Sequence, residues 1–286
     1  MILGGDICGK LIVPIISKKD NGWEVTFLGR TEVIKDPKKL DEVKERISTT
    51  GAYFYETSED EWRSLKENMN ELKELMLFLM KERLRQWMAL CEEKLGGKDV
   101  LVFISPGNDD PYEVDEALKS SHENIITGDR RVETIDDKHS LLVLGISNKT
   151  PWNCPRDLEE AEIRNIIEEL TAKVADPTNC IFSIHIPPFC SGLDVAPKLD
   201  ENLRPVLGPG GGAITYHCGS TAVREAIEKH QPIAGLHGHI HESRGLSQVG
   251  RTLCFNPGSE YGEGILRGLL LEIKDGKVGD YLFTQG

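Results

Sequence analysis

The chain has 286 residues, with 34 lysines and arginines against 47 aspartates and glutamates, and a formal net charge of −13 at pH 7. This acidic balance argues against an extended nucleic acid as partner, because a phosphate backbone is bound mainly through lysine and arginine. The length is sufficient for one large core or two small ones.

The cysteines and the apolar residues indicate a cellular compartment. Seven cysteines are scattered along the chain and none belongs to a C-x-x-C pair, which is typical of reduced thiols. No apolar run approaches the roughly 18 residues that a membrane-spanning helix needs. The chain opens with neither a basic leader nor a long apolar segment. The sequence therefore predicts a cytoplasmic protein without a membrane partner.

The first predicted elements are a hairpin and a short helix. Residues 11–16 and 23–28 are interpreted as two strands. The segment Asp20-Asn21-Gly22 between them is typical of a hairpin turn. Asp36 followed by Pro37 predicts the N-cap and the first turn of a helix that ends near residue 47.

A much longer helix is predicted from Ser58 to the Gly96-Gly97 pair. Its apolar residues recur at a spacing of three to four and include Trp62, Leu65, Met69, Leu72, Met76 and Leu79. We interpret this stripe as packing within the helix's own domain; a seam between two copies of the chain, and hence a homo-oligomer, is the alternative. Residues 11–96 are predicted to be an insertion of hairpin and helices within a single domain that spans residues 1–286.

Beyond residue 96, strand-like and helix-like runs alternate, which predicts an α/β fold. The predicted strands cover residues 100–105, 141–146, 180–186, 233–237, 252–256 and 269–273, and the predicted helices cover residues 155–174 and 220–230. The stretch 187–218 is rich in proline and glycine and longer than an ordinary connection. We expect this loop to cover the functional site and to determine substrate choice, with residues 11–96 forming a rim or a partner surface.

The densest functional signal is a group of three histidines within five residues, His237, His239 and His241, after the apolar run Pro232-Ile233-Ala234. In a strand His239 and His241 would point to the same face, and Gly238 would let the strand end turn so that both rings converge. Neutral imidazole is the commonest protein ligand for borderline metals. The segment therefore predicts part of a metal site; a solvent-exposed histidine cluster is the alternative.

Other polar residues suited to bind a metal also follow predicted strands. Asp6 follows the apolar pair Ile2-Leu3, Asn108 follows the strand at 100–105, and His185 interrupts the apolar run at 180–186. Strand ends are where α/β folds place their sites. We therefore expect these side chains to meet the histidines of residues 237–241.

The ordered set of these motifs resembles the calcineurin-like metallophosphoesterase superfamily over residues 1 to about 260. The motifs are Gly5-Asp6, Gly107-Asn108-Asp109, His185-Ile186-Pro187-Pro188 and Gly238-His239-Ile240-His241, and Asn256-Pro257-Gly258-Ser259 is similar to a turn of the small prokaryotic phosphodiesterase branch. The resemblance implies a two-sheet β sandwich flanked by helices, with a two-metal centre at the strand ends.

The resemblance also implies a role for each ligand. Asp6 would bridge both metals, Asn108, His185 and His239 would complete one metal, and His241 would belong to the other. Imidazole ligands suit Mn, Fe, Zn or Ni better than Mg or Ca. Two such cations polarise a phosphoryl group and activate water, so the implied reaction is hydrolysis of a phosphoester.

The sequence departs from the family pattern in two places. The family's opening strand ends in Asp-x-His, and no such motif precedes Asp6. Asp6 and His241 alone would leave the second metal with fewer than the three or four usual ligands. We therefore expect an incomplete second site, a chain that begins at an internal methionine, and an enzyme compromised as written. Asp109 occupies the position where many members have a histidine, and it is the candidate catalytic acid.

Several further residues carry weaker signals. Lys10 could contact a substrate phosphate or lie on a solvated surface. The helix that begins at Ser220 could bind an anion, or Ser220 could simply cap it. His217 and His237 are interpreted as supporting or structural residues near the site. His122, His139 and His230 have no partners at ligand spacing, and we assign no role to them.

Two functional hypotheses from different classes follow. The first is metal-dependent hydrolysis of a small-molecule or nucleotide phosphoester, either a diester or a monoester. The second is a non-catalytic metal-binding or scaffold protein whose metallophosphoesterase site is incomplete. A nucleotide-binding module is disfavoured because the chain has neither a G-x-G-x-x-G nor a P-loop pattern.

Overall fold

A computed structural model describes residues 1–19 and 21–286 and shows a mixed α/β chain with several sheets. The strands, numbered in chain order, are β1 Ile2–Gly4, β2 Ile12–Ser17, β3 Trp23–Phe27, β4 Arg30–Ile34, β5 Tyr53–Thr57, β6 Val102–Ser105, β7 Ile125–Thr127, β8 Arg131–Thr134, β9 Ser140–Leu144, β10 Ser147–Asn148, β11 Asp157–Leu158, β12 Cys180–Ile184, β13 Val195–Pro197, β14 Thr215–His217, β15 Ala234–Leu236, β16 Gly245–Val249, β17 Thr252–Asn256, β18 Arg267–Lys274 and β19 Lys277–Gln285. The α-helices are α1 Pro37–Thr49, α2 Glu59–Glu67, α3 Met69–Leu95, α4 Glu160–Thr171 and α5 Thr221–His230, and short 3-10 helices cover Tyr112–Leu118, Pro177–Asn179 and Tyr261–Glu263.

The chain contains two compact units. The first comprises Met1–Ile7, Cys91–Glu260 and Leu266–Gly286, and the second comprises Cys8–Leu90 and Tyr261–Ile265. The predicted α/β class is confirmed as a mixed α/β structure. The two-sheet sandwich, the single domain and the insertion at 11–96 stay predictions.

The first unit is built around a six-stranded sheet with the strand order β16-β17-β15-β12-β9-β8, and a three-stranded sheet has the order β1-β6-β7. Strand β12 pairs in parallel with β9 and β15, and β1 pairs in parallel with β6. Every residue of β12 is buried, as expected of a parallel strand covered on both faces. This explains why the sequence of β12 is apolar at every position except Ser183 and does not alternate.

Alternate residues of the six-stranded sheet belong to two different apolar clusters. Leu142 and Leu144 pack with residues of α4 and α5 such as Ile167 and Val223, whereas Leu141 and Val143 pack in a second cluster with other strand residues. Because successive side chains of a strand point to opposite faces, the clusters occupy the two faces of the sheet. Apolar side chains packed on both faces of the sheet thereby hold the strand ends in place.

The second unit contains a four-stranded sheet with the order β4-β3-β2-β5. Strands β2 and β3 pair antiparallel, which confirms the predicted hairpin; Asp20 of the predicted turn lies outside the described residues. The first helix begins as predicted, because a side-chain oxygen of Asp36 accepts the N–H of Lys38 at 3.0 Å and Pro37 is at the first position. Strands β4 and β5 carry no strong alternation and were not predicted.

The predicted long helix is wrong in one respect, because it is interrupted at Asn68. Ser58 begins α2 as expected, with its hydroxyl accepting the N–H of Glu61 at 3.2 Å. Asn68 leaves the helical conformation with φ −109° and ψ 90°, and its side-chain oxygen accepts the N–H groups of Asn70 and Glu71. An asparagine side chain competes with the helical backbone in this way. The apolar spacing resumes after the break, so periodicity alone does not reveal it.

The remaining predictions shift by a few residues. The helix predicted at 155–174 begins only at Glu160, and Asp157–Leu158 forms a short strand beside β10. The strand predicted at 252–256 and the helix capped by Ser220 are confirmed. Within residues 1–19 and 21–286, the helices lack the combination of length and apolar character needed to cross a membrane.

Candidate metal centre

Four of the five predicted metal ligands meet at one point. Asp6, His185 and His239 offer ligand atoms that all lie within 4.8 Å of one another. His185 Nε2 is 3.0 Å from Asp6 Oδ2, and Asn108 Oδ1 is 2.9 Å from His239 Nδ1. Donors bound to one first-row metal at about 2.0–2.2 Å are at most about 4.4 Å apart. The cluster therefore fits a single cation after small side-chain adjustments.

The ligands converge because each follows the carboxyl end of a parallel strand. Asp6 comes after β1, Asn108 after β6, His185 directly after β12 and His239 after β15. Within each sheet, neighbouring parallel strands present these ends at the same edge: β1 and β6 in the three-stranded sheet, β12 and β15 in the six-stranded sheet. The contact of Asp6 with His185 joins the two edges. The predicted strand-end placement is thus confirmed for these four residues.

Glycines beside the ligands allow their close approach. A Cβ added to Gly107 would lie 2.2 Å from both the backbone nitrogen and the Oδ1 of Asp6. A Cβ added to Gly5 would lie 2.4 Å from Nδ1 of His185. These distances exclude any larger side chain without movement of the backbone. The Gly-Asp and Gly-Asn pairs of the sequence are therefore required by packing at the centre.

Two of the ligands have left-handed backbone conformations. Asp6 has φ 50° and His239 has φ 62°, a region that non-glycine residues adopt at a cost of about 1–3 kcal/mol each. The turn at His239 follows β15, which ends at Leu236. The backbone thus turns before His239 and His241, as expected from Gly238, and the same-face placement that a strand would give the two rings does not apply.

Neighbouring groups determine which atom of each ligand faces the centre. His185 Nδ1 lies 3.0 Å from the carbonyl of Gly4, so an Nδ1–H that donates there leaves Nε2 to face Asp6. Asn108 Nδ2 donates to Asp157 Oδ1 at 2.9 Å, which leaves the amide oxygen facing His239. Asp157 is buried and its other oxygen accepts the N–H groups of Thr150 and Cys154, both at 3.0 Å. Sequence reasoning missed Asp157, which is 49 residues from Asn108.

The contact with Asp157 makes a direct prediction about metal affinity. Asp157→Asn is expected to weaken Mn²⁺ binding by about 10- to 100-fold, the usual effect of losing an outer partner of a ligand. The new asparagine retains an oxygen for the N–H groups of Thr150 and Cys154 but presents Nδ2 to Asn108. The amide of Asn108 must then turn its own N–H groups toward the cation. Isothermal titration calorimetry measures the change.

A matched control for this prediction is Asp176→Asn. Asp176 is also an aspartate that accepts a backbone N–H, from Thr178 at 2.9 Å, but it does so at the start of a 3-10 helix. The Asp176→Asn variant should bind Mn²⁺ with the affinity of the wild type. Equal affinities of the Asp157 and Asp176 variants would contradict the assigned role of Asp157.

Burial and charge shift the pKa values of Asp6, His185 and His239, which are buried or half-buried. Burial opposes ionisation of Asp6, but the charge and hydrogen bond of His185 outweigh it and hold the pKa of Asp6 well below its usual range. Burial likewise opposes protonation of His185, but the charge and hydrogen bond of Asp6 raise the pKa of His185 to about 9. Burial, followed by the charge of His185, lowers the pKa of His239 to about 3. Without a cation the centre therefore contains an ionised Asp6–His185 pair beside a neutral His239.

His241 is placed differently from the other four predicted ligands. It is exposed, its carbonyl accepts the N–H of Ser259 at 3.3 Å, and its charge influences the titration of His239. Within the described part of the chain, the group of mutually close ligand atoms comprises Asp6, His185 and His239 without His241. A second cation bound by Asp6 and His241 stays a prediction.

Asp109 contacts the centre through its backbone and Cys154 through its side chain. Its N–H donates to Asp6 Oδ1 at 3.1 Å, and its carboxylate accepts the thiol of Cys154 with an Oδ1–Sγ distance of 2.7 Å. Burial and then this hydrogen bond raise the pKa of Cys154 to about 12, so the thiol stays protonated at neutral pH. The catalytic role of Asp109 stays a prediction.

The start of α5 is occupied by a carboxylate of the chain itself. The N–H groups of Thr221 and Ala222 donate to Glu160 at 3.2 and 2.9 Å, and the hydroxyl of Ser220 donates to the same side chain while accepting from Val223. The capping role of Ser220 is confirmed. An external anion at this helix end is not expected, because Glu160 already fills the position.

The other residues with only a weak functional signal in the sequence lie in both units. His237 is buried with Nδ1 2.8 Å from the carbonyl of Ile184, which confirms its structural interpretation. Lys10 belongs to the second unit, and its contact with a phosphate stays a prediction. His139 and His230 lie beside carboxylates, Asp136 at 2.8 Å and Glu168 at 3.4 Å respectively.

The loop predicted at 187–218 has a fixed base. The buried carboxylate of Asp194 accepts the N–H groups of Cys190, Gly192 and Gly219 at 2.8, 3.1 and 3.2 Å. The short strands β13 and β14 pair above this base. At 210–212 a Cβ added to any of the three glycines would meet no atom within 4 Å. The tip therefore lies in open space while both ends are held together; covering of the site stays a prediction.

Comparisons with known proteins give relatives without a stated activity. No protein-family model matches the chain. The uncharacterized protein MJ1162 of Methanocaldococcus jannaschii is 34% identical over 158 residues, which is 54% of this chain. The chain spans 63% of the length of this curated relative.

Two solved structures are similar to the chain at low identity. One covers 96% of this chain and 94% of its own, with a TM-score of 0.46 and 15% identity. The other, TT1561 of Thermus thermophilus, covers 72% of this chain and 79% of its own, with a TM-score of 0.47 and 15% identity. None of these names specifies a reaction, and the chemistry of the centre rests on its own residues.

Proposed function

We propose that the chain is a metal-dependent hydrolase whose substrate is a small-molecule or nucleotide phosphoester. The observation that supports this proposal best is the convergence of one carboxylate, one amide oxygen and two imidazoles on a single point at the strand ends. The resemblance of the ordered motifs to calcineurin-like metallophosphoesterases supports the reaction type. The net charge of −13 favours a small substrate over a nucleic acid.

The donor set fits a first-row divalent cation such as Mn, Fe, Zn or Ni. Asp6, Asn108, His185 and His239 would hold one cation, and Asp6 with His241 would contribute to a second within a two-sheet sandwich fold. When bound, divalent cations polarise a phosphoryl oxygen and favour ionisation of water near neutral pH. The proposed activity depends on this chemistry.

The chain's own residues supply position and charge for that reaction. The negative charge of Asp6 offsets the cation, while the amide of Asn108 adds an oxygen without adding charge. The backbone N–H of Asp109 holds Asp6 Oδ1 in place at 3.1 Å. Asn108 and His185 are only 1% and 4% exposed, so bulk water competes weakly with the substrate at these ligands.

The proposal is tested with purified protein, the four candidate metals one at a time, and two chromogenic substrates, bis(p-nitrophenyl) phosphate and p-nitrophenyl phosphate. We expect hydrolysis with at least one metal, its loss in EDTA and its return when the metal is restored. The ratio of the two rates distinguishes a diesterase from a monoesterase. Calorimetry on the same samples reports bound metal independently of turnover.

The control is Asp136→Asn, which alters a carboxylate–histidine pair at the surface; it should bind metal and hydrolyse the esters like the wild type. Tight metal binding without hydrolysis under any of these conditions would reject the proposal in favour of a metal-binding scaffold. Absence of metal binding would reject both hypotheses.

A further inference from the structure

A second carboxylate–histidine pair lies in the first unit, formed by Asp194 and His217. His217 Nδ1 is 2.9 Å from Asp194 Oδ1, with Asp194 fully buried and the His217 side chain 40% exposed. Among the described residues, no hydrogen-bond partner is found for His217 Nε2. A carboxylate on Nδ1 fixes the orientation of an imidazole and stabilises its protonated form. The pair therefore presents Nε2 of an oriented imidazole to solvent.

Hydrogen bonds from the backbone hold Asp194 in place independently of its contact with His217. Its two oxygens also accept N–H groups from Cys190, Ser191, Gly192 and Gly219 at 2.8 to 3.2 Å. These bonds compensate the buried charge and hold the carboxylate rigidly. The base of the loop, which holds Asp194 in place, thus also determines the position of the His217 imidazole.

Three sets of contacts connect the surroundings of His217 to chain segments near His185, His239 and His241. Its cross-strand partner Val195 exchanges hydrogen bonds with Ser243 at 3.1 and 2.7 Å, two residues after His241. The ring of Phe189, four residues after His185, packs edge-on against His217 with a centroid distance of 6.0 Å.

The third set leads to His239. The carbonyls of Cys218 and Gly219 accept N–H bonds from Asn148 at 3.3 Å. The adjacent residue, Ser147, has its hydroxyl oxygen 3.3 Å from His239 Nε2. These contacts connect the surroundings of His217 to chain segments next to His185 and His241 and to a side chain that contacts His239.

Other groups around the centre are less suited to give a proton to a departing oxygen. The carboxylate of Asp109 accepts the Cys154 thiol, and His237 is buried. His217 contacts Asp194 and is flanked in the chain by the titratable residues Tyr216 and Cys218, and the charge of Glu242 reaches Cys218. Burial, followed by the charges of Asp194 and Glu242, raises the pKa of Cys218 to about 12.

We propose that His217, oriented by Asp194, is the proton donor to the leaving group in the hydrolysis, an inference that rests on the proposed function. Water that has lost a proton to the solvent forms the new bond to phosphorus, and the bond from phosphorus to the leaving oxygen breaks. That oxygen takes the proton from Nε2 of His217. The imidazole regains a proton from solvent, so the net reaction consumes one water and releases an alcohol.

The test is His217→Asn, assayed on phosphoesters with p-nitrophenyl, phenyl and alkyl leaving groups in the presence of Mn²⁺. Asparagine retains an N–H donor for Asp194 but lacks Nε2. Loss of a general acid costs about 10²- to 10⁴-fold when the leaving group needs a proton. We expect a decrease in kcat of at least about 100-fold for alkyl esters and of less than about threefold for p-nitrophenyl esters. Bound Mn²⁺ and the unfolding temperature should not change.

The matched control is His139→Gln. His139 forms the same kind of pair, with Asp136 at 2.8 Å, but lies before β9, at the strand end opposite to Leu144. Its rates should equal those of the wild type for every ester. Equal losses for all leaving groups in His217→Asn, or no loss for any, would overturn the role of His217 alone. A wild type that binds Mn²⁺ but hydrolyses none of the esters would overturn the proposed function and this inference together.

Discussion

Asp6→Asn is expected to weaken Mn²⁺ binding by more than about 100-fold, above the range for losing an outer partner of a ligand. Asp6 is the one carboxylate in the cluster with His185 and His239 among the described residues. The substitution retains an oxygen of similar shape but leaves the neutral donors without a negative charge to offset the cation. Hydrolysis of p-nitrophenyl esters should fall at least in proportion to metal occupancy.

Calorimetric titration with Mn²⁺, and kcat measured at saturating metal, separate the two effects of this variant. Asp176→Asn again serves as the control, because it alters an aspartate that caps a 3-10 helix. A variant at Asp6 that binds Mn²⁺ within about threefold of the wild type would place the cation elsewhere in the protein.

Without metal, the buried His185 and His237 and the half-buried His239 are expected to give the protein a maximum of stability near about pH 6.5, the unfolded pKa of histidine. The pKa of His185 is raised to about 9, so its contribution is fully present below its unfolded pKa of about 6.5 and is lost as the pH rises through 9. The pKa values of His237 and His239 are lowered by burial to about 4 and about 3. The unfolded chain therefore binds more protons below about pH 6.5, and stability falls on that side as well.

The contribution of His185 is isolated by comparison with His185→Gln. In EDTA the difference in unfolding free energy between wild type and variant should shrink by about 1–3 kcal/mol between about pH 6.5 and 9. Urea denaturation at several pH values measures this difference, and Asp136→Asn reports any general effect of pH on a surface pair. A difference that is constant over this range, or that grows with pH, would contradict an ionised Asp6–His185 pair.

The sequence was sufficient to predict which polar side chains follow strands and meet at the candidate metal centre. Asp6, Asn108, His185 and His239 each follow an apolar run, and neighbouring parallel strands within a sheet bring such positions to the same edge regardless of their separation along the chain. Their neighbouring glycines were also visible as turn signals. The chemistry of these side chains and their positions after predicted strands were together enough to predict this part of the centre.

The supporting residues could not be predicted in the same way. Asp157, Asp194 and Glu160 act through hydrogen bonds to residues 23 to 62 positions away, and an isolated aspartate or glutamate in a sequence resembles any surface carboxylate. The break at Asn68 was missed for a related reason, because a side chain that caps the next helix leaves the apolar spacing undisturbed. Pairing partners and caps are properties of the folded backbone.

The left-handed backbone at Asp6 and His239 places folding and function in conflict. Glycine would relieve the conformational cost at both positions, yet glycine has no ligand atom. Laboratory evolution for thermal tolerance alone would therefore tend to replace these residues, whereas selection for metal retention would restore them. The two positions are thus places where a more stable descendant of this protein would be a less capable one.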